Sequence, residues 1–273
     1  LYEKRGGIIM TRKLCMILCL LLLMTSTIKG NNYTKGFLDD LNQVKKLYNS
    51  GKYENAMTLI EKYHELIGFY HLDAGKYYPH IIEARNILGD CYIKTGNFKK
   101  AFDVFQETNG ATDYSDSYAL YQTALLTLLF DDIYSITDIL NDTKIYYLDP
   151  DPGLYILLLS VMESDEGKLI PEKIEATLRN YKDKIKISAS GRALVDFLLN
   201  RIDEDELFSK TDAENHDAIK YFIGLKNERF SGSVQNGKEY YIELYKGSED
   251  LYKWLSAKRL GLFGILIKDY ENY

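Results

Sequence analysis

The chain has 273 residues, enough to bury a sizeable core in one domain or two. It carries 34 Lys/Arg against 40 Asp/Glu, a net charge of −6 at pH 7, with only four prolines and 24 tyrosines. The acidic balance argues against non-specific nucleic-acid binding and simple adhesion to anionic lipid, which need a basic footprint; the scarcity of proline favours helix.

Residues 1–30 read as a signal peptide with upstream residues. Met10-Thr11-Arg12-Lys13 is a basic n-region, and Leu14 to Met24 is an unbroken apolar run too short to span a bilayer as a helix. A polar TSTIKG follows, so cleavage is expected after Gly30, with Thr27 as the other site. Export to a bacterial periplasm or beyond is expected, with no membrane span after cleavage and an anchored chain if the signal is retained. Cys15 and Cys19 lie inside the run and follow Leu14 and Leu18, not the small residue of a lipidation site. Without residues 1–30 the chain holds 29 basic and 39 acidic residues, net −10, and one cysteine, Cys91, so no disulfide framework is available.

Two segments repeat. GKYENAMTLI (Gly51 to Ile60) and GNFKKAFDVF (Gly96 to Phe105) both read Gly-x-aromatic-x-x-Ala-x-x-x-apolar, and each follows an apolar-periodic helix. In the second, Leu88 and Tyr92 share a helix face at i and i+4, and Phe98, Ala101, Phe102 and Phe105 form an i, i+3, i+4, i+7 stripe. Gly96 suits the left-handed residue that ends a helix, Lys94 sits in that helix's last turn, and Asn97 is placed to cap the next.

On Leu88, Gly89, Tyr92, Gly96, Phe98, Ala101 and Phe105 the chain resembles tetratricopeptide repeat (TPR) proteins, which stack helix–turn–helix units. Leu47, Gly51, Tyr53, Ala56 and Ile60 carry a partial match, with Val44 where the family has glycine. The alanines lie 45 positions apart against the family's 34, which implies an insertion of about eleven residues, placed in Gly68 to His80. The resemblance implies an all-α, TPR-like antiparallel helix-pair solenoid that holds a partner peptide or helix in a concave groove. Its groove-facing places fall on Lys45, Tyr48 and Asn49 in the first unit and on Asn86, Asp90, Ile93 and Lys94 in the second. The Lys/Asn carboxylate clamp of some members is not expected, because Asp90 and Leu41 stand where that clamp has Asn and a basic residue.

Residues 31–146 are expected to form the TPR-like region and 147–273 an irregular helical region. SDSYALYQTALLTLL reads as a buried helix capped by Ser115 or Asp116, and DDIYSITDILN as a second with Ile133, Ile136 and Leu140 in its stripe. The prolines of YLDPDPG break the pattern. LYILLLSVM is apolar nearly all round and hence central. Pro171 suits the first turn of PEKIEATLRNYK. GRALVDFLLNRI, HDAIKYFIGLKN, KEYYIELYK and SEDLYKWLSAKRLGLFGILIKDY read as further helices, the last opened by Ser248 and Glu249, and SGSVQNGK as a loop.

No segment specifies catalysis. HELIG (His64 to Gly68) lacks the second histidine of a zinc-protease helix, and His71, Asp73 and His80 can cluster in the inserted loop but at a spacing that is not specific to a metal site. GSVQNGKE (Gly232 to Glu239) ends in Glu239 where a P-loop needs Ser or Thr, and no strand precedes it. No Gly-x-Ser-x-Gly elbow occurs, and Cys91 has no histidine near it in sequence. Asp131/Asp132 and Asp203 to Glu206 suit helix starts. Asn32 and Asn141 match the N-glycosylation pattern, which bears only on a eukaryotic host. The expected function is a non-catalytic interaction protein or scaffold, with no cofactor and no metal. The alternative is a helical binding protein for envelope glycan or another ligand, using exposed tyrosines. Tyrosine placement separates them: rings gathered in one concave pocket favour a ligand, rings spread between helices favour the scaffold.

Overall fold

The computed structural model describes residues 36–63, 78–110, 116–130, 151–164, 171–181, 185–248 and 250–262. Residues 1–35 lie outside them, as do DDIYSITDILN, most of the Gly68–His80 insertion and the first part of YLDPDPG. Every regular element among the described residues is helical, and no strand occurs among them. The all-α expectation holds at that level.

The chain divides into two compact units, Leu1–Ala84 and Arg85–Tyr273, at a point inside helix α3. The boundary expected at 146/147 falls in a stretch that is not described.

In the first unit, α1 (36–49) buries Phe37, Leu41 and Val44, and α2 (Tyr53–Glu61) buries Ala56, Leu59 and Ile60. Both sets fall at helical spacing. Tyr63 meets the Phe37 ring edge-on at 5.3 Å and donates its hydroxyl to Asp40 at 2.9 Å. Helix α3 (Tyr78–Lys94) begins here.

In the second unit, α3 and α4 (Phe98–Gly110) form the better-matched hairpin. Leu88, Cys91, Tyr92, Phe98, Ala101 and Phe105 are buried. A Cβ on Gly89 would stand 2.4 Å from Cζ of Phe105, so only glycine allows this approach. The turns of the two repeats close alike. Gly51 N–H bonds Tyr48 O at 2.9 Å and Lys52 N–H bonds Leu47 O at 2.9 Å; 45 positions on, Gly96 N–H bonds Ile93 O at 3.0 Å and Asn97 N–H bonds Tyr92 O at 2.7 Å. Both glycines have positive φ, 71° and 76°. These are Schellman ends, in which the left-handed residue returns two N–H groups to the last turn.

Helices α5 (Ser117–Leu129) and α6 (Pro152–Ser164) are buried nearly all round. Asp116 caps α5, accepting from Ala119 N–H at 2.7 Å. Next come α7 (Pro171–Tyr181), opened by Pro171 as expected, α8 (Ala189–Leu198) and α9 (Glu204–Ser209). Asp203 caps α9, so the acidic run opens a helix as anticipated. Helices α10 (His216–Ser231), α11 (Lys238–Gly247) and α12 (Leu251–Arg259) close the described chain. SGSVQNGK holds a single 3₁₀ turn, Val234–Asn236, between α10 and α11. The last helix is shorter than its apolar pattern suggests. Asp250 supplies the side chain that caps it, with Ser248 Oγ accepting from Asp250 N–H at 3.3 Å, and it ends at Arg259, where Gly261 takes φ 70°; Glu249 lies outside the described residues.

Lys226 on α10 is buried; its Nζ lies 3.7 Å from the Phe197 ring centroid and donates to Phe197 O at 2.5 Å. Desolvation pushes its pKa down to about 8. An unfolded lysine titrates near ~10.4. Between these values the unfolded chain holds more protons, so this group makes unfolding harder as pH rises through that window. Cys91, pushed up to about 12 by burial, works the other way above pH ~8.5. The expected result is therefore a difference: the stability of the native chain relative to Lys226→Met grows from pH 7 to pH 10 in parallel urea titrations. A pH-independent difference contradicts the assignment.

Candidate functional site

The groove positions are placed as follows. In the first unit, Lys45 pairs with Glu83 at 2.6 Å, Tyr48 meets the Tyr53 ring edge-on at 5.7 Å, and Asn49 is exposed. In the second, Asn86 donates to Asp116 at 3.2 Å and Asp90 accepts from the Tyr118 hydroxyl at 2.6 Å. Lys94 is close enough to Asp250 to favour its charge. Ile93 is 3 % exposed and belongs to the core. Asn86 and Asp90 thus bond to the first turn of α5 or the cap that precedes it. The Cys91 thiol is fully buried and pushed up to about 12 by desolvation, then by Asp90, which disfavours the thiolate a nucleophile needs.

The second unit holds a cleft of about 690 Å³ that the sequence reading did not assemble. One wall is a single face of α5: Tyr118, Tyr121, Gln122 and Leu125, at i, i+3, i+4 and i+7. The rest comes from the starts of other helices. Asp151, Pro152 and Tyr155 open α6; Ser188, Ala189 and Ser190 open α8. Asp212, Glu214, Asn215 and Ala218 lead into α10, and Asp250, Leu251 and Tyr252 open α12. Helix starts attract carboxylates because their free N–H groups carry partial positive charge.

Two of the carboxylates are committed to that structural task. Asp151 accepts from Ser188 N–H at 3.1 Å and Ser188 Oγ at 2.5 Å. It sits at φ 81°, and a Cβ on Gly191 would come within 2.3 Å of its Oδ1, so glycine at 191 makes room for it. Asp250 accepts from Ser248 Oγ at 2.6 Å and Tyr252 N–H at 2.9 Å. Burial pushes its carboxyl up, against the pull of those two bonds. Asp212 and Glu214 are exposed; Asp212 meets Ser190 Oγ at 3.4 Å.

Three of the lining tyrosines meet one another, and one of them backs onto the buried Phe222. Tyr121 and Tyr155 lie 6.0 Å apart, Tyr155 and Phe222 5.5 Å, and the hydroxyls of Tyr121 and Tyr252 touch. Burial, then Asp151 and Asp212, push the Tyr155 hydroxyl well above the usual tyrosine range, so it stays protonated. Beside this wall two fully buried oxygens, Gln122 Oε1 and Tyr155 Oη, have no hydrogen-bond partner among the described residues. Such groups are costly to leave unmatched. Among the described residues no Lys, Arg or His lines the cleft.

A smaller cavity of about 290 Å³ lies against a buried ion-pair network. Arg259 pairs with Glu163 and, at 3.0 Å, with Glu228; Arg229 meets Glu163 at 3.0 Å; the Tyr241 hydroxyl donates to Glu228 at 2.7 Å. These pairs tie α6, α10 and α12 together, although Arg229 Nε comes no nearer to Glu228 than 4.0 Å.

No family model matches the chain, and neither the curated proteins nor the solved structures yield a match. Among the described residues no helix is long and apolar enough to cross a membrane.

The cleft had a readable signal. Gln122 stands on the same helical stripe as Tyr118, Tyr121 and Leu125, inside an otherwise apolar run. What the sequence did not carry is the convergence of four more helix starts on that stripe.

Proposed function

We propose that this chain is an exported, non-catalytic binding protein built from TPR-like helix pairs, and that its ligand occupies the tyrosine-lined cleft. The observation that carries the reading is the gathering of Tyr118, Tyr121, Tyr155 and Tyr252 on one concave surface. The cleft has the volume of a small-ligand site, lined by aromatic rings and a few polar side chains. Partner binding through α3 is the second reading, favoured by the tight Gly89–Phe105 hairpin and the matching turns.

A thermal-shift screen of amines, neutral sugars and inorganic anions tests the first reading. At least one class is expected to raise the melting temperature of the native chain and to lose that effect in Gln122→Leu. If no class acts on the native chain, the cleft reading fails. For the second reading, a crosslinking pull-down compares the native chain with Asp90→Lys/Lys94→Glu. An unchanged set of partners removes the α3 face from consideration.

A further inference from the structure

We infer that the surface where the α3–α4 turn meets α12 binds an acidic peptide segment of a partner protein, with carboxylates on Lys99, Lys100 and Lys253 and an apolar side chain against Trp254. None of these four residues lines the cleft or belongs to the groove positions, so the inference stands apart from both readings above.

The distribution of charge leads to it. The stretch 91–102, from the last turn of α3 to the first turn of α4, holds Lys94, Lys99 and Lys100 and no carboxylate. Helix α12 holds Lys253, Lys258 and Arg259 and no carboxylate either. Both stretches are locally positive in a chain of net −6, and folding joins them: Phe98 meets the Trp254 ring edge-on at 5.1 Å.

Three of these cations serve the fold. Lys94 lies near Asp250, Lys258 donates to Leu128 O, and Arg259 belongs to the buried network. The other three are available to a partner. Lys99 pairs with Asp103 at 2.7 Å, with side chains 78 % and 48 % exposed. A pair so exposed holds little energy and yields readily to a second carboxylate. Lys100 and Lys253 enter no ion pair among the described residues. Each lies by a ring instead, Nζ 5.6 Å from the Tyr92 centroid and 5.8 Å from the Trp254 centroid. Such contacts position an ammonium group without neutralising it.

The backbone adds charge of the same sign. The first turn of α4 has no acid, although that is where a helix favours one. It carries Lys99 and Lys100 there, so helix stability does not account for them. Trp254, half-buried beside them, supplies a large apolar surface of the kind that anchors protein interfaces. A short acidic segment fits this small patch. A long polyanion or an anionic bilayer would extend past it and meet the field of a net acidic chain.

The full chain is titrated with acetyl-Gly-Asp-Glu-Leu-Glu-Asp-Gly-amide and with its uncharged counterpart acetyl-Gly-Asn-Gln-Leu-Gln-Asn-Gly-amide, followed by calorimetry and by tryptophan emission. Trp254 is the only tryptophan in the chain, so its emission localises the contact. The expected result is saturable binding of the acidic peptide with a change in emission, weakened by salt, and none of the counterpart. Affinity should fall about tenfold in Lys100→Glu/Lys253→Glu through like-charge repulsion. A smaller fall is expected in Lys100→Gln/Lys253→Gln, which decides the matter if the reversal disturbs the fold. Equal binding of the two peptides, or unchanged affinity in both variants, overturns the inference. So does binding of the acidic peptide with no change in emission, or no binding of it at all. A short single-stranded DNA or phosphatidylglycerol vesicles that bind more tightly than the peptide, with the same loss in the variants, overturn the partner class.

Discussion

Arg259→Met should lower the free energy of unfolding by about 3–5 kcal/mol, the range for removing one partner from a buried charge network. Arg259 reaches from α12 to Glu163 on α6 and Glu228 on α10, whose side chains are 9 % and 7 % exposed. Burial alone opposes the guanidinium charge; Tyr221, Glu163 and Glu228 more than offset that, and its pKa is raised. Without it, among the described residues Glu163 keeps Arg229 and a long contact to Tyr221, and Glu228 depends on Tyr241 and a 4.0 Å approach of Arg229. Two carboxylates then stay buried with incomplete compensation. Arg259→Lys retains the charge and loses the planar fork, so a smaller loss is expected. The combined Glu163→Gln/Glu228→Gln/Arg259→Met variant should recover part of the loss, because it removes the stranded charges with their partner. Urea unfolding followed by circular dichroism reads all three. A loss below about 1 kcal/mol in Arg259→Met, the size of a surface pair, would show that the network does not hold these helices together.

The second large effect is expected at the α3–α4 hairpin. Phe105→Ala should cost about 3–5 kcal/mol, since the ring is fully buried and little can collapse into its place. Gly89→Ala should cost about 1–3 kcal/mol from overpacking, despite alanine's better helix propensity, because the new methyl would lie 2.4 Å from the ring. The two changes should couple. In the double variant the methyl at 89 enters space the ring has left, so its cost should fall well short of the sum. An additive double-mutant cycle would mean that Gly89 is not held by contact with Phe105. The cycle thus tests the packing on which the resemblance to helix-pair repeats depends.

Much of the local structure was legible residue by residue. Gly51 and Gly96 marked helix ends because a residue without Cβ takes positive φ at little cost. Pro171 and Asp203 marked helix starts for equally local reasons. Phe98, Ala101 and Phe105 announced their burial by their spacing. Where the reading missed, a neighbour outside the segment intervened. Ile93 was placed facing a groove by its position in the repeat, yet it is buried in the core. Asp90 and Lys94 fell in the same pattern, but Asp90 bonds Tyr118 and Lys94 feels Asp250, residues 28 and 156 positions further along.

The amino-acid sequence by itself determined that this is a helical chain, where several of its helices begin and end, and that two of its hairpins share one turn. Those outcomes depend on backbone freedom, capping and apolar period, which act over a few residues. Only the tertiary structure decided which residues line the cleft. The cleft requires the α5 stripe to meet four other helix starts, and each of these carries its polar residues for a local reason of its own. Asp151 and Asp250 serve helix starts whether or not a cleft exists; Gln122 and Tyr155 gain meaning only when folding buries their oxygens without partners. That information lies in long-range packing, because burial without a partner is a property of the assembled core and of no single segment.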